Sequence, residues 1–182
     1  MTIKGWCRAS AMLLLGLGAV GARAADKPSA AAPGADANAA FARLQSLAGT
    51  WHGDAGDAEL IERAEVSYAV TAGGRAVMET ITPGTPHEMI SMYYLDGDDL
   101  LIAHYCANGH HPRLRYNPAK SHGDTLVFDF AQAANFDPST DSHIHGGSVD
   151  IGADGILRED WTVVAGGKEV AHNRFALTRG QP

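Results

Sequence analysis

The chain has 182 residues, 45% of them hydrophobic, and sets 14 basic residues against 21 acidic ones for a formal net charge of −7. A surface of that sign repels phosphate backbones and anionic bilayers, which argues against a nucleic-acid partner or peripheral membrane binding. Two cysteines, Cys7 and Cys106, are too few for a disulfide framework, so stability must come from a hydrophobic core.

Lys4 and Arg8 precede an apolar run from Ala9 to Ala22, and Ala22-Arg23-Ala24 ends it in an A-x-A pattern. A charged start, a short apolar stretch and small residues before a cut are the parts of a secretory signal peptide, expected over residues 1–24. The run is shorter than the ~20 apolar residues of a membrane span, and Gly16, Gly18 and Gly21 interrupt it. Cys7 lies ahead of the run rather than at the cleavage point, and no paired arginines occur, so the general secretory route to a periplasmic or secreted location is expected. Cleavage removes Lys4, Arg8 and Arg23, three of the 14 basic residues, and moves the net charge from −7 to −10. It also removes Cys7 and leaves Cys106 without an intrachain partner.

Residues 25–40 are Ala, Pro, Gly, Ser, Asp, Asn and Lys with no large apolar side chain, the composition of a disordered linker. Phe41, Leu44 and Leu47 then recur at helical spacing, predicting one or two turns of helix before Gly49. From there the period is two. Val66, Tyr68 and Val70 alternate with Glu65, Ser67 and Ala69, and Ala72-Gly73-Gly74 marks a turn. Further strands are expected over Ala76–Thr82, His87–Leu95, Asp99–Cys106, Arg113–Tyr116, Thr125–Ala131, His143–Ile151, Ile156–Val164 and Lys168–Thr178. Asp96-Gly97-Asp98 is a tight-hairpin signal between two of them. Nine or ten strands in succession, without crossover helices, predict an all-β domain over residues 41–180. The expected architecture is an antiparallel up-and-down barrel that leaves no edge unpaired, with a two-sheet sandwich as the alternative.

Leu47-Ala48-Gly49-Thr50-Trp51, directly after a short amphipathic helix, resembles the opening of lipocalin-like or calycin barrels. That resemblance implies that Trp51 plugs the closed end and that Arg179, on the last strand, packs over it. Gly84 to Met89 (G-T-P-H-E-M), Tyr94-Leu95-Asp96-Gly97-Asp98 and the segment from His104-Tyr105-Cys106 to Pro112-Arg113 are similar to an uncharacterised bacterial family of lipocalin-like barrels. The chain departs from that family at Asn108-Gly109-His110-His111, where a G-N-Q is usual. The likeness covers the mature domain and implies a fold, not a function.

Strand parity sorts side chains between lumen and solvent. Leu100, Ile102, His104 and Cys106 share one face; so do His143, His145, Val149 and Ile151; so do Leu157, Glu159, Trp161 and Val163. With Tyr68 and Phe128, these give a mostly apolar lumen carrying a few polar groups, the composition of a small-molecule pocket. Glu159 needs a partner if buried, and His145, one strand earlier, is the expected one. A bulge at Gly146-Gly147 would overturn the parity of that strand. His143-x-His145 also has the spacing of two ligands to one transition metal, with His104, Cys106 or Glu159 completing the set, and a metal with an open position could activate water. A haem is the remaining cofactor reading: nitrobindin-like barrels carry a proximal His near the C-terminus, and His172 is similar in placement, although Phe175, Leu177 and Arg179 share the opposite face. His110, His111 and His122 fall in loops and are expected to face solvent. No Walker loop, G-x-S-x-G, C-x-x-C or H-E-x-x-H occurs. The sequence therefore favours an exported binding barrel over an enzyme, with a metal-dependent barrel, a haem barrel and a structural barrel packed shut as alternatives.

Overall fold

The computed structural model describes residues 35–56 and 61–180. The signal-peptide expectation, most of the linker expectation, and Cys7 lie outside those residues.

The helix α1 (Ala35–Ser46) begins earlier than its large apolar side chains suggest. Ala37 and Ala40 extend the stripe of Phe41, Leu44 and Leu47, and all five are buried. Alanine is the best helix former and fits where a helix approaches its neighbour closely, so residues 35–40 are helix rather than linker.

Ten strands follow: β1 (Gly49–Gly56), β2 (Ile61–Thr71), β3 (Ala76–Ile81), β4 (Met89–Asp96), β5 (Asp99–Tyr105), β6 (Arg113–Tyr116), β7 (Thr125–Gln132), β8 (His143–Ile151), β9 (Ile156–Ala165) and β10 (Lys168–Arg179). Each pairs antiparallel with its sequence neighbours, and β10 pairs with β1 to close the barrel. Among the described residues no strand is left as an open sheet edge. The Asp-Gly signal makes the expected hairpin, with Asp96 opposite Asp99 and Gly97 at φ 61°. β4 starts at Met89, two residues later than the alternation suggested. Thr82 has a positive φ of 49°, and Glu88 turns its carboxylate back to accept the Gly84 N–H at 2.7 Å.

The helix covers one end. Trp51 donates its indole N–H to the Leu47 carbonyl at 2.8 Å, and the Arg179 guanidinium lies 4.4 Å from the centroid of the Trp51 ring. Arg179 also donates to the Ala48 and Ser46 carbonyls at 2.6 and 2.9 Å. Arg43 and Gln45 tie α1 to opposite sides of that end, through Gly123 and Asp124 on one side and Gly74 on the other. The opposite end, where β3 and β5 finish and β4 and β8 start, has no such cover among the described residues.

Candidate functional site

Parity holds where pairing is regular. Tyr68, Leu100, Ile102, His104, Phe128, Glu159 and Trp161 are all buried. Phe128, Tyr93 and Tyr68 form a chain of ring contacts at 6.0 and 6.4 Å between centroids.

Within this apolar lumen sits a polar cluster. Glu79 on β3 and Glu159 on β9 are 0% and 2% exposed. The Tyr68 hydroxyl lies 2.6 Å from Glu159 Oε1 and 3.1 Å from Glu79 Oε1. Tyr93 donates to Glu79 Oε2 at 2.8 Å, and Trp161 donates its indole N–H to Glu159 Oε2 at 2.9 Å. Burial and then the charge of Glu159 push Glu79 well above the ordinary carboxylate range, while Glu159, also raised by burial, is held down in part by its donors Tyr68, Trp161 and Glu79. Burial raises both carboxyls, and their proximity makes them titrate as a pair. Burial, followed by these carboxyls, pushes both tyrosine hydroxyls up, so they stay protonated as donors.

Glu79 was not singled out from the sequence, although the parity that exposes Glu159 exposes it too: Val77, Glu79 and Ile81 share the inward face of β3. The partner expected for Glu159 is wrong. His145 is exposed, and Glu159 is satisfied by Tyr68, Trp161 and Glu79 instead.

Next to the cluster, Ser91 on β4 faces His104 on β5, with Ser91 Oγ 3.0 Å from His104 Nδ1. The other ring nitrogen, Nε2, is buried and has no partner. Burial, and secondarily the neighbouring His111, lower the His104 pKa to about 4, so the ring is neutral at physiological pH. His104 opens on a pocket of about 50 Å³ at the uncovered end, whose lining includes Met89, Cys106, Leu114, Ile144, Trp161 and Phe175. Cys106, just past β5, lies there with its Sγ 3.8 Å from Met89 Sδ. Gly147 makes room for Trp161: a Cβ at that position would come within 2.4 Å of the indole Cε3.

β8 departs from the expectation. Its pairing with β9 skips between Ile144 and Gly146, a bulge at His145. The extra residue reverses parity at the start of the strand, so Ile144 takes the lumen place and His143 and His145 join an aromatic cluster at the rim. His143 Nδ1 donates to the Asp141 carbonyl at 2.8 Å, which leaves its Nε2 to accept from His145 Nδ1 at 3.0 Å. Phe130 stacks on His145 at 4.7 Å, and Phe136 contacts both His143 and His110. Of the three histidines expected to face solvent, His110 and His111 are half-buried and His122 is exposed.

The cofactor expectations meet the same geometry. Among the described residues no three His, Cys, Asp or Glu side chains are grouped to hold a metal ion, so His104, His143 and His145 do not form one centre. His172 lies on the outer wall with Nδ1 on Asp160 and Nε2 on Glu169, and these carboxylates raise its pKa. With both nitrogens engaged outside the lumen, His172 does not fit the axial ligand of a haem. No protein-family model matches the chain, and no curated protein matches it significantly.

Proposed function

We propose that this protein is an exported binding barrel that takes one end of a small, partly apolar ligand into the pocket beside His104. One observation carries the reading: a buried imidazole nitrogen without a partner, His104 Nε2, at the inner end of a mostly apolar pocket to which Ser91 and Asn173 add the other polar side chains. A polar atom shut away from water costs free energy unless something bonds to it, and a ligand's polar end is suited to do so. The pocket is small. Its 50 Å³ is the space of one or two waters at roughly 30 Å³ each, so it receives the tip of a molecule whose body lies across the mouth. Export is supported by the basic, apolar and A-x-A pattern of residues 1–24.

Native mass spectrometry of the protein purified from its own host tests the proposal. A co-purifying mass is expected, and it should be displaced when Cys106, at the mouth, is labelled with a bulky maleimide. The competing reading is a barrel whose lumen is packed shut, favoured by the size of Tyr68, Tyr93, Phe128 and Trp161 inside it. A protein that carries no mass and binds none of a panel of small apolar alcohols would support that reading instead.

A further inference from the structure

We propose that the pocket selects an uncharged ligand that ends in a hydrogen-bond donor, an alcohol or phenol rather than a carboxylic acid or an amine, because His104 Nε2 receives the donor as an acceptor. This inference rests on the binding reading above and adds the chemical class of the ligand.

The direction of the His104 hydrogen bonds follows from its neighbours. Ser91 stands directly opposite Glu79 across the β3–β4 pairing and opposite His104 across the β4–β5 pairing, which places its hydroxyl between the carboxyl and the ring. In the proposed arrangement the hydroxyl turns its one proton to Glu79, and its oxygen accepts the N–H of His104 Nδ1 across 3.0 Å. A neutral imidazole carries one N–H, so Nε2 presents a lone pair to the pocket. Glu79, Ser91 and His104 thus fix the tautomer as an ordered chain.

Charge excludes the other two classes. The pocket is lined by no Lys or Arg, and the ionisable pair behind Ser91 and Trp161 is Glu79 with Glu159. A carboxylate would bring a negative charge beside two buried carboxyls and oppose its own lone pairs to that of Nε2, with no cation to offset either. An ammonium group is drawn by the negative charge but must leave water for a mouth of Ile81, Met89, Leu114, Ile144 and Phe175, a transfer that costs several kcal/mol per ion. An uncharged hydroxyl loses far less on burial and gains the bond to Nε2.

Calorimetric titration at pH 7 with four probes of matched chain length, 1-hexanol, hexanoate, hexylamine and methyl pentyl ether, tests the assignment. The hexanol is expected to bind about tenfold or more tightly than the ether, which lacks the donor, and than either charged probe. His104→Phe should abolish the preference of hexanol over ether. Ser91→Ala, which keeps the ring but releases its tautomer, should reduce it, so the assignment does not hang on a variant that fails to fold. Hexanoate or hexylamine binding as tightly as hexanol would overturn the assignment, as would a preference that survives in folded His104→Phe. If no probe binds but a mass co-purifies with the native protein, the ligand class is wrong and the pocket reading stands. If no probe binds and no mass is found, both fail.

Discussion

Glu79 and Glu159, four strands apart around the barrel wall, come together in its interior on a single tyrosine hydroxyl, that of Tyr68. One hydroxyl has one proton to give, and at 2.6 against 3.1 Å it goes to Glu159. Burial raises the Glu79 carboxyl well above its ordinary range, so the fold binds a proton there more tightly than the unfolded chain does. A carboxyl raised in this way contributes stability that is fully present below the ordinary carboxylate range and lost as pH rises through the raised value. Glu79→Gln keeps the shape and a donor without the charge. It should flatten the loss of stability above the ordinary carboxylate range and exceed the parent there by about 1 kcal/mol, read by urea denaturation across pH. A variant less stable than the parent at every pH would contradict the assignment of the proton.

His104 acts in the opposite sense. Its pKa is lowered from 6.5 to about 4, so the unfolded chain takes up a proton that the folded ring refuses. The stability this gives is present above pH 6.5 and falls as pH drops toward 4, by roughly 3 kcal/mol in all. His104→Phe should remove that acid slope while leaving the opposite slope from Glu79. Denaturation midpoints at pH 4, 5.5 and 7 suffice to measure it, and an unchanged acid slope would show that the ring is not the buried neutral group described.

Gly147 is a packing requirement of the site. A methyl group there would meet the Asp160 carbonyl oxygen and Trp161 Cε3, both at 2.4 Å. Backbone on one side and a buried indole on the other leave little room to yield, so Gly147→Ala should cost about 1–3 kcal/mol. It should also shift Trp161 off Glu159, visible as a change in indole fluorescence. A variant with parental stability and emission would mean that the strand relaxes freely.

Arg179 holds the closed end by its plane as well as its charge. Two carbonyls and the face of Trp51 are served by one guanidinium. Arg179→Ala should lower stability by about 1–2 kcal/mol, and Arg179→Lys should recover less than half of it, because an ammonium cannot stack and fork at once. Full recovery by lysine in urea melts would reduce the contact to simple charge.

The barrel was legible because hairpin signals and period-two runs recur from Gly49 onward and each needs a neighbour on both sides. The lumen faces of β5 and β9 followed from parity alone, His104 and Glu159 included. Glu79 was hidden because Ala76 and Met78 on the other face of β3 are as apolar as Val77 and Ile81, so the strand gave no clean alternation. His143 and His145 were misplaced because one inserted residue inverts a strand's faces, and Gly146-Gly147 marks that a bulge is allowed without fixing where it falls. The early start of α1 was obscured by alanines, which read as linker by composition and as helix by packing.

Ligand choice by this barrel depends on His104 presenting a neutral, unprotonated Nε2 to the open pocket. Nitrogen-15 NMR of the histidine rings at pH 6, with and without 1-hexanol, reads that atom directly. A proton on Nδ1 and none on Nε2 is the proposed tautomer, and the Nε2 resonance should move as the alcohol binds. A charged ring, a proton on Nε2, or a resonance unmoved by saturating alcohol would contradict it.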